Sequence, residues 1–166
     1  MSKLIFKGIP VNSIGELPAV GSKAPDFSLV GTNLADVKNT DFPGKRLVLN
    51  IFTSLDTGTC AASVRRFNVE AAKLENTVVI CISKDLPFAH GRFCTAEGIT
   101  NVVSASEFRS NSFGKSYGVM MTDGPLQGLL ARSVVVVDTD GTVLYSQFAP
   151  ELSEEPDYVA ALSVLK

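Results

Sequence analysis

The chain has 166 residues, within the range of about 100 to 200 residues usual for one domain, and it reads as one domain over 1–166 with residues 1–20 as an N-terminal hairpin extension. Apolar residues make up 45% and charged residues 19%, the balance of a packed globule, which excludes disorder as the main state. Fifteen Lys plus Arg against seventeen Asp plus Glu give a net charge of −2 without a basic block, so a nucleic-acid partner, which needs several phosphates neutralised together, is not expected.

The aliphatic runs Val78 to Ile82 and Val134 to Val137 fall far short of the roughly 20 residues of a membrane span. The opening Met1 to Lys7 lacks the apolar run and small-residue cleavage site of a secretory leader, which favours a cytoplasmic location. Three cysteines are too few for a disulfide scaffold, so each is either a small core residue or a reagent.

Along the chain, Leu4 to Ile9 and Val11 to Leu17 form two extended runs around Gly8-Ile9-Pro10 and suggest an N-terminal hairpin. Residues Gly21 to Phe27 read as coil. Leu47 to Phe52 has the length and composition of a strand buried on both faces. After Thr57-Gly58-Thr59-Cys60, apolar residues at Val64, Phe67, Ala71 and Leu74 follow the three-and-four spacing of an amphipathic helix. Thr77 to Ser83 repeats the buried-strand pattern, and Leu86 to Gly98 reads as a weaker helix interrupted by Gly91. Phe108 to Tyr117 suggests another short helix. Ser133 to Asp138 and Thr142 to Ser146 flank Thr139-Asp140-Gly141, a hairpin signal. Pro156 at a first helical position opens a closing helix with Tyr158, Ala161, Leu162 and Leu165 on one side. This order predicts an α/β fold of thioredoxin-like layout, with a central mixed β-sheet and helices on both faces.

The chemistry centres on Cys60. A thiol is a nucleophile only as thiolate, and an ordinary cysteine pKa of about 8.5 leaves little of it ionised at neutral pH. Thr57 lies where a buried strand gives way to a helix. As N-cap it places Cys60 at the third helical position, where unpaired N–H groups and the positive end of the helix dipole favour an anion. Its hydroxyl can also donate to the sulfur or to a bound oxygen, and Gly58 lets a ligand approach the backbone. The local pattern fits equally an inert cysteine behind a helix cap. Cys81, inside Val78 to Ile82, reads as core. His90, the sole histidine, lies near Cys94 but is one ligand of a would-be zinc site at most, and a surface role is expected.

The segment Phe52-Thr53-Ser54-Leu55-Asp56-Thr57-Gly58-Thr59-Cys60-Ala61-Ala62-Ser63-Val64-Arg65-Arg66-Phe67-Asn68 resembles the active-site segment of bacterial thiol peroxidases, a subfamily of the peroxiredoxins. Asp85-Leu86-Pro87-Phe88-Ala89, Arg92-Phe93-Cys94 and Ala96-Glu97-Gly98 are similar to that subfamily's resolving-cysteine segment. Gly124-Pro125-Leu126, Gly128-Leu129 and Ala131-Arg132 resemble its arginine segment, and Glu155-Pro156-Asp157-Tyr158 its closing helix.

The resemblance implies that Cys60 is the peroxidatic cysteine, Thr57 its hydrogen-bonding partner, Arg132 the arginine beside the sulfur and Cys94 the resolving cysteine. By itself Arg132 reads as a solvated charge before a strand. The implied reaction reduces a hydroperoxide, organic or hydrogen peroxide, through a Cys60 sulfenic acid and a Cys60–Cys94 disulfide. Thioredoxin would be the reductant, the assembly a homodimer, and no cofactor or metal is required. Thr53 and Thr59 join Gly58 as pocket residues. The family motif has proline where this chain has Thr53; threonine adds a donor and torsional freedom, so a looser pocket with slower peroxide reduction or easier overoxidation is expected. Because disulfide formation brings Cα atoms within about 7 Å, the helix carrying Cys94 is expected to melt, aided by Gly91.

Other chemistry is disfavoured. Gly44-Lys45-Arg46 lacks the spaced glycines and the Ser or Thr of a phosphate loop. Asp138 and Asp140 are followed by a strand and read as turn residues. A disulfide oxidoreductase would need a cysteine three residues after Cys60. A peroxide-sensing switch protein without efficient turnover is the alternative from another class.

Overall fold

The computed structural model describes residues 2–165. In β5 (Arg46–Ile51) successive side chains point to opposite faces, and both faces are apolar: Leu47, Leu49 and Ile51 enter one core, Val48 and the following Phe52 the other. β6 (Thr77–Ser83) divides in the same way into Ile80 and Ile82 against Val79 and Cys81. So does β8 (Ser133–Val137), with Val135 and Val137 against Val134 and Val136. Strands this apolar are stable only when covered on both sides. α1 (Gly58–Ala71), α2 (Pro87–Glu97) and α4 (Tyr158–Ser163) cover one face, through Val64, Phe67, Phe93, Tyr158 and Ala161. The short α3 (Ser112–Ser116) and its flanks cover the other, where Phe113 stacks on Tyr117 and Phe27 meets both edge-on.

The sheet has seven strands in the order β4-β3-β7-β6-β5-β8-β9, adding β3 (Ser28–Gly31), β4 (Asp36–Lys38), β7 (Val103–Ser106) and β9 (Val143–Phe148). β5–β6 and β6–β7 are parallel, and the remaining pairs are antiparallel. The expected mixed sheet with helices on both faces is therefore present.

A separate hairpin pairs β1 (Lys3–Phe6) with β2 (Ile9–Asn12). Its turn is Lys7-Gly8, with φ of 50° and 79°, the left-handed pair a tight two-residue turn needs. Ile9 and Pro10 thus belong to β2 rather than to the turn, and the second strand ends at Asn12 instead of running to Leu17. β3, β4 and β7 are strands where none was expected. The closing helix starts after Asp157, whose carboxylate accepts from the Ala160 N–H at 3.0 Å; Pro156 lies ahead of this cap and not in the first turn.

Phe67 anchors α1 to the sheet. It is fully buried and meets Tyr158 edge-on at 5.2 Å between ring centroids, a contact whose truncation to alanine costs about 3–5 kcal/mol. α2 is held more weakly: only Pro87 and His90 of its residues are buried.

His90 is 1% exposed, which corrects the surface role expected for it. Its Nε2 lies 3.0 Å from Ser83 Oγ. Ser83 gives its one proton to Asp85 Oδ2 at 2.5 Å, so the imidazole is the donor to Ser83 and the neutral Nε2–H tautomer is fixed. Burial lowers the His90 pKa to about 4, with Asp85 opposing.

This depression has a stability consequence. The unfolded chain takes up the proton first, so the contribution of neutral His90 is complete above about pH 6.5 and drains away as pH falls toward 4, by on the order of 3 kcal/mol. Thermal unfolding of the native sequence should lose Tm across this window more steeply than His90→Gln; parallel slopes would show that the imidazole is not responsible.

Candidate active site

Strand register assembles the site. Ile51, at the end of β5, pairs in parallel with Ile82 on β6 and antiparallel with Ser133 at the start of β8. The exits of β5 and β6 and the entry of β8 therefore meet at one end of the sheet. Thr53 leaves β5 there, Asp85 leaves β6, and Arg132 immediately precedes β8. No local sequence pattern shows this convergence, because it joins residues tens of positions apart.

Thr57 is the N-cap of α1, with extended backbone angles of −101° and 139°. The Ala61 N–H donates to its carbonyl at 3.0 Å, which puts Cys60 in the first turn as expected. The Thr57 hydroxyl makes no cap bond; it donates its proton to the Ser54 carbonyl at 2.9 Å. The first-turn N–H groups thus have no side-chain acceptor from the cap, leaving the positive end of the helix to the cysteine.

Cys60 is fully buried and Thr53 Oγ1 lies 3.2 Å from its sulfur. When the sulfur is ionised it can only accept, so the Thr53 hydroxyl is then the donor. Burial pushes the Cys60 thiol up. The Arg132 charge, the Thr53 and Thr57 hydroxyls and the Ser54 backbone N–H act against burial and outweigh it, and the thiol sits below its ordinary value. The Thr57 hydroxyl can serve the sulfur only by leaving the Ser54 carbonyl, to which it donates here, so Thr53 is the hydroxyl bonded to the sulfur.

Arg132 is 2% exposed, not a solvated charge. Its Nε donates to the Leu152 carbonyl at 3.0 Å, and its buried Nη1 has no partner. No carboxylate pairs with it among the described residues. The loop that holds it is braced from several sides. Ala149 N–H donates to the Arg132 carbonyl at 2.9 Å and Leu152 N–H to the Ile5 carbonyl at 2.8 Å. Lys7 N–H donates to Glu151 Oε1 at 2.8 Å, and the Thr59 hydroxyl to the Ser153 carbonyl at 2.9 Å.

A cavity of about 250 Å³ reaches Thr53, whose hydroxyl is on the Cys60 sulfur, while the buried Cys60 does not itself line it. Thr53, Thr57, Gly58, Thr59 and Arg132 form its polar side, and Phe6, Leu126 and Leu152 an apolar wall. A Cβ at Gly58 would meet no atom within 4 Å, so glycine there leaves open space facing the cavity. The hairpin's Phe6 and Lys7 also line it, a contribution without a sequence signal.

Cys94 is not brought to this cavity. It is half-buried near the end of α2, with its sulfur 3.3 Å from Ser104 Oγ on β7, and lines a separate groove of about 470 Å³. All three cysteines are free thiols. Cys81 is fully buried and desolvation pushes it up to about 12, in keeping with a core role. Among the described residues no group of His, Cys, Asp and Glu could hold a metal ion. Asp138 and Asp140 accept from Thr139 and Thr142 N–H groups within their turn.

Comparison with known proteins gives the family of the chain. The model of the Redoxin family matches residues 19–162, and the chain belongs to that family. It is 58% identical over 165 residues to the thiol peroxidase of Corynebacterium glutamicum and 52% identical over 165 residues to that of Mycobacterium bovis, covering 99% of each chain in both cases. The structure of a peroxiredoxin-like protein from Aquifex aeolicus superposes with a TM-score of 0.92 at 37% identity, over 99% of this chain and 96% of that one. The protein is a peroxiredoxin-type peroxidase, similar in sequence to thiol peroxidases.

The Thr53 contact makes a direct prediction. Thr53→Val keeps the shape and deletes the donor, so the ultraviolet titration of the Cys60 thiolate should move to higher pH; an unmoved curve would mean that the hydroxyl does not support the ionised sulfur.

Proposed function

We propose that Cys60 reduces hydroperoxides and that Cys94 regenerates it through an intrachain disulfide. The observation that carries this reading is the buried, unneutralised Arg132 guanidinium beside a thiol whose pKa is lowered despite full burial. In the first step the Cys60 thiolate attacks the outer oxygen of RO–OH. The S–O bond forms, the O–O bond breaks, and the RO⁻ that leaves takes a proton to become ROH, so the products are the sulfenic acid and an alcohol or water. Arg132 and the first turn of α1 stabilise the thiolate beforehand and the departing alkoxide afterwards. The Cys94 thiol then displaces water from the sulfenic acid.

The apolar wall of Phe6, Leu126 and Leu152 beside the cationic end of the cavity suits an organic hydroperoxide and leaves room for hydrogen peroxide. Thioredoxin, with its dithiol, is the proposed reductant of the disulfide. The protein is proposed to be cytoplasmic, a single functional domain over 1–166, and a homodimer for which the exposed Leu86 and Phe88 offer apolar surface. It needs no cofactor.

Stopped-flow mixing of the reduced protein with cumene hydroperoxide and with hydrogen peroxide tests the assignment. Cys60→Ser should abolish the fast phase, Cys94→Ser should keep it but lose the disulfide, and Arg132→Gln should slow it by roughly 10²-fold. Multiple turnovers with thioredoxin and its reductase are expected, whereas a sensor would stop after one equivalent. A fast phase surviving in Cys60→Ser would refute the reading.

For Cys94 to reach Cys60, α2 must open. It has no side-chain N-cap bond and an internal glycine. Close packing does not require Gly91, since a Cβ there would lie 4.0 Å from the nearest Thr32 atoms. The ion pair that ties α2 to α1, Arg65–Glu97 at 2.9 Å, is solvent-exposed and weak. Gly91→Ala should stabilise the helix by about 1 kcal/mol and slow disulfide formation about fivefold, with more overoxidation of Cys60. Unchanged kinetics would show that opening of α2 does not limit this step.

A further inference from the structure

Asp85, on the link between β6 and α2, is half-buried and makes no ion pair among the described residues. Its carboxylate is nevertheless fully engaged. Oδ1 accepts from the Ser54 hydroxyl at 2.8 Å, and Oδ2 accepts from the Leu55 N–H at 2.9 Å and the Ser83 hydroxyl at 2.5 Å. Both Ser54 and Leu55 lie in the loop between Thr53, whose hydroxyl is on the Cys60 sulfur, and Thr57, the cap of α1. In the other direction Ser83 Oγ receives the Nε2–H of His90, the main buried side chain of α2. Asp85 is itself held, its carbonyl accepting from the Ser106 hydroxyl at 2.5 Å on β7.

A continuous chain of hydrogen bonds therefore runs Ser54–Asp85–Ser83–His90. It joins the loop that shapes the surroundings of the reactive sulfur to the helix that carries Cys94. A charged acceptor serving several donors is a strong link, because each such bond is worth more than a neutral one. Removing it frees both ends at once.

We propose that Asp85 is a positioning residue that latches the Thr53–Thr57 loop to α2, so that the arrangement around Cys60 and the folded state of the Cys94 helix stand or fall together. Resting on the peroxidase reading, the latch assigns a sequence to the cycle. While α2 is folded the loop is held for attack on peroxide; when α2 opens, the Ser83–His90 end is lost, the loop loses its brace, and both sulfurs gain the freedom to meet. Coupling of this kind is reciprocal: whatever loosens the loop also loosens the helix.

The test uses reduced protein without peroxide, in a Cys94→Ser background so that Cys60 is the thiol followed, Cys81 being pushed up to about 12. Two quantities are read: the ultraviolet titration of the Cys60 thiolate, and hydrogen exchange of α2 amides against those of β5 and β8. Asp85→Ala should raise exchange in α2 about tenfold, leave β5 and β8 unchanged, and move the thiolate titration to higher pH. Ser83→Ala, which removes the link to His90 and one of the donors to Asp85 but leaves Ser54 and Leu55 on the carboxylate, should raise α2 exchange and move the titration in the same direction by less than Asp85→Ala does. Asp140→Ala, which deletes a carboxylate acceptor in the β8–β9 turn, should do neither.

If Asp85→Ala fails to fold, Asp85→Asn, which keeps the volume and removes the charge, is read in the same two ways. Exchange and titration both equal to the parent would overturn the latch. So would a rise in exchange spread evenly over β5, β8 and α2, which is general destabilisation. Since neither measurement involves turnover, a parent protein that fails to consume peroxide removes the peroxidase reading and leaves the latch to be judged on its own data.

Discussion

A guanidinium buried without a carboxylate is costly, because the charge loses its water and gains no counter-ion. Arg132 is in that position, and the arrangement is sustainable because the group that ionises beside it is the Cys60 sulfur. The two charges offset each other's desolvation: the arginine holds the thiol below its ordinary value, and the thiolate supplies the negative charge the arginine otherwise lacks. The rest of the site serves this pair. β5–β8 register brings Arg132 to the end of β5, the first turn of α1 adds its dipole, and Thr53 adds a donor directly on the sulfur.

The means of holding Arg132 matters as much as its place. A backbone carbonyl, that of Leu152, takes its Nε, which orients the side chain without cancelling its charge as an aspartate would. That carbonyl is in turn set by the N-terminal hairpin, through Leu152 N–H to Ile5 and Glu151 to the Lys7 N–H. The hairpin stands outside the main sheet, yet it braces the loop that orients Arg132 and supplies Phe6 to the cavity wall. Its Lys7-Gly8 turn, with both residues at positive φ, is what lets the strands reverse tightly enough to do so.

Where the sequence pattern was uninterrupted, the fold was legible. β5, β6, β8 and β9 carry aliphatic runs, α1 has regular spacing from Val64 to Leu74, and α2 lies between Leu86 and Gly98 as expected. β3, β4 and β7 escaped because they are short and carry little apolar signal: β7 reads Val-Ser-Ala-Ser, and its strand character comes from pairing with β6. Cys60, its cap Thr57 and Arg132 stand out in the sequence through resemblance to a known family, whereas Arg132 alone looks like surface charge. His90 was misjudged because a polar residue on an α2 face shared with Pro87 and Cys94 gives no apolar periodicity. The role of Asp85 was hidden because its partners Ser54 and Leu55 are distant in sequence and meet it only through parallel register.

Cys81 completes the picture by what it refrains from doing. Three cysteines allow three different pairings, and an oxidant reaching the wrong one would lock the core in a dead-end crosslink. Sunk in β6 with its proton retained, the third sulfur is withdrawn from that competition. Under the proposed cycle, oxidative traffic is thereby left to Cys60 and Cys94, and fidelity of bond choice is written into depth of burial instead of into a dedicated recognition site.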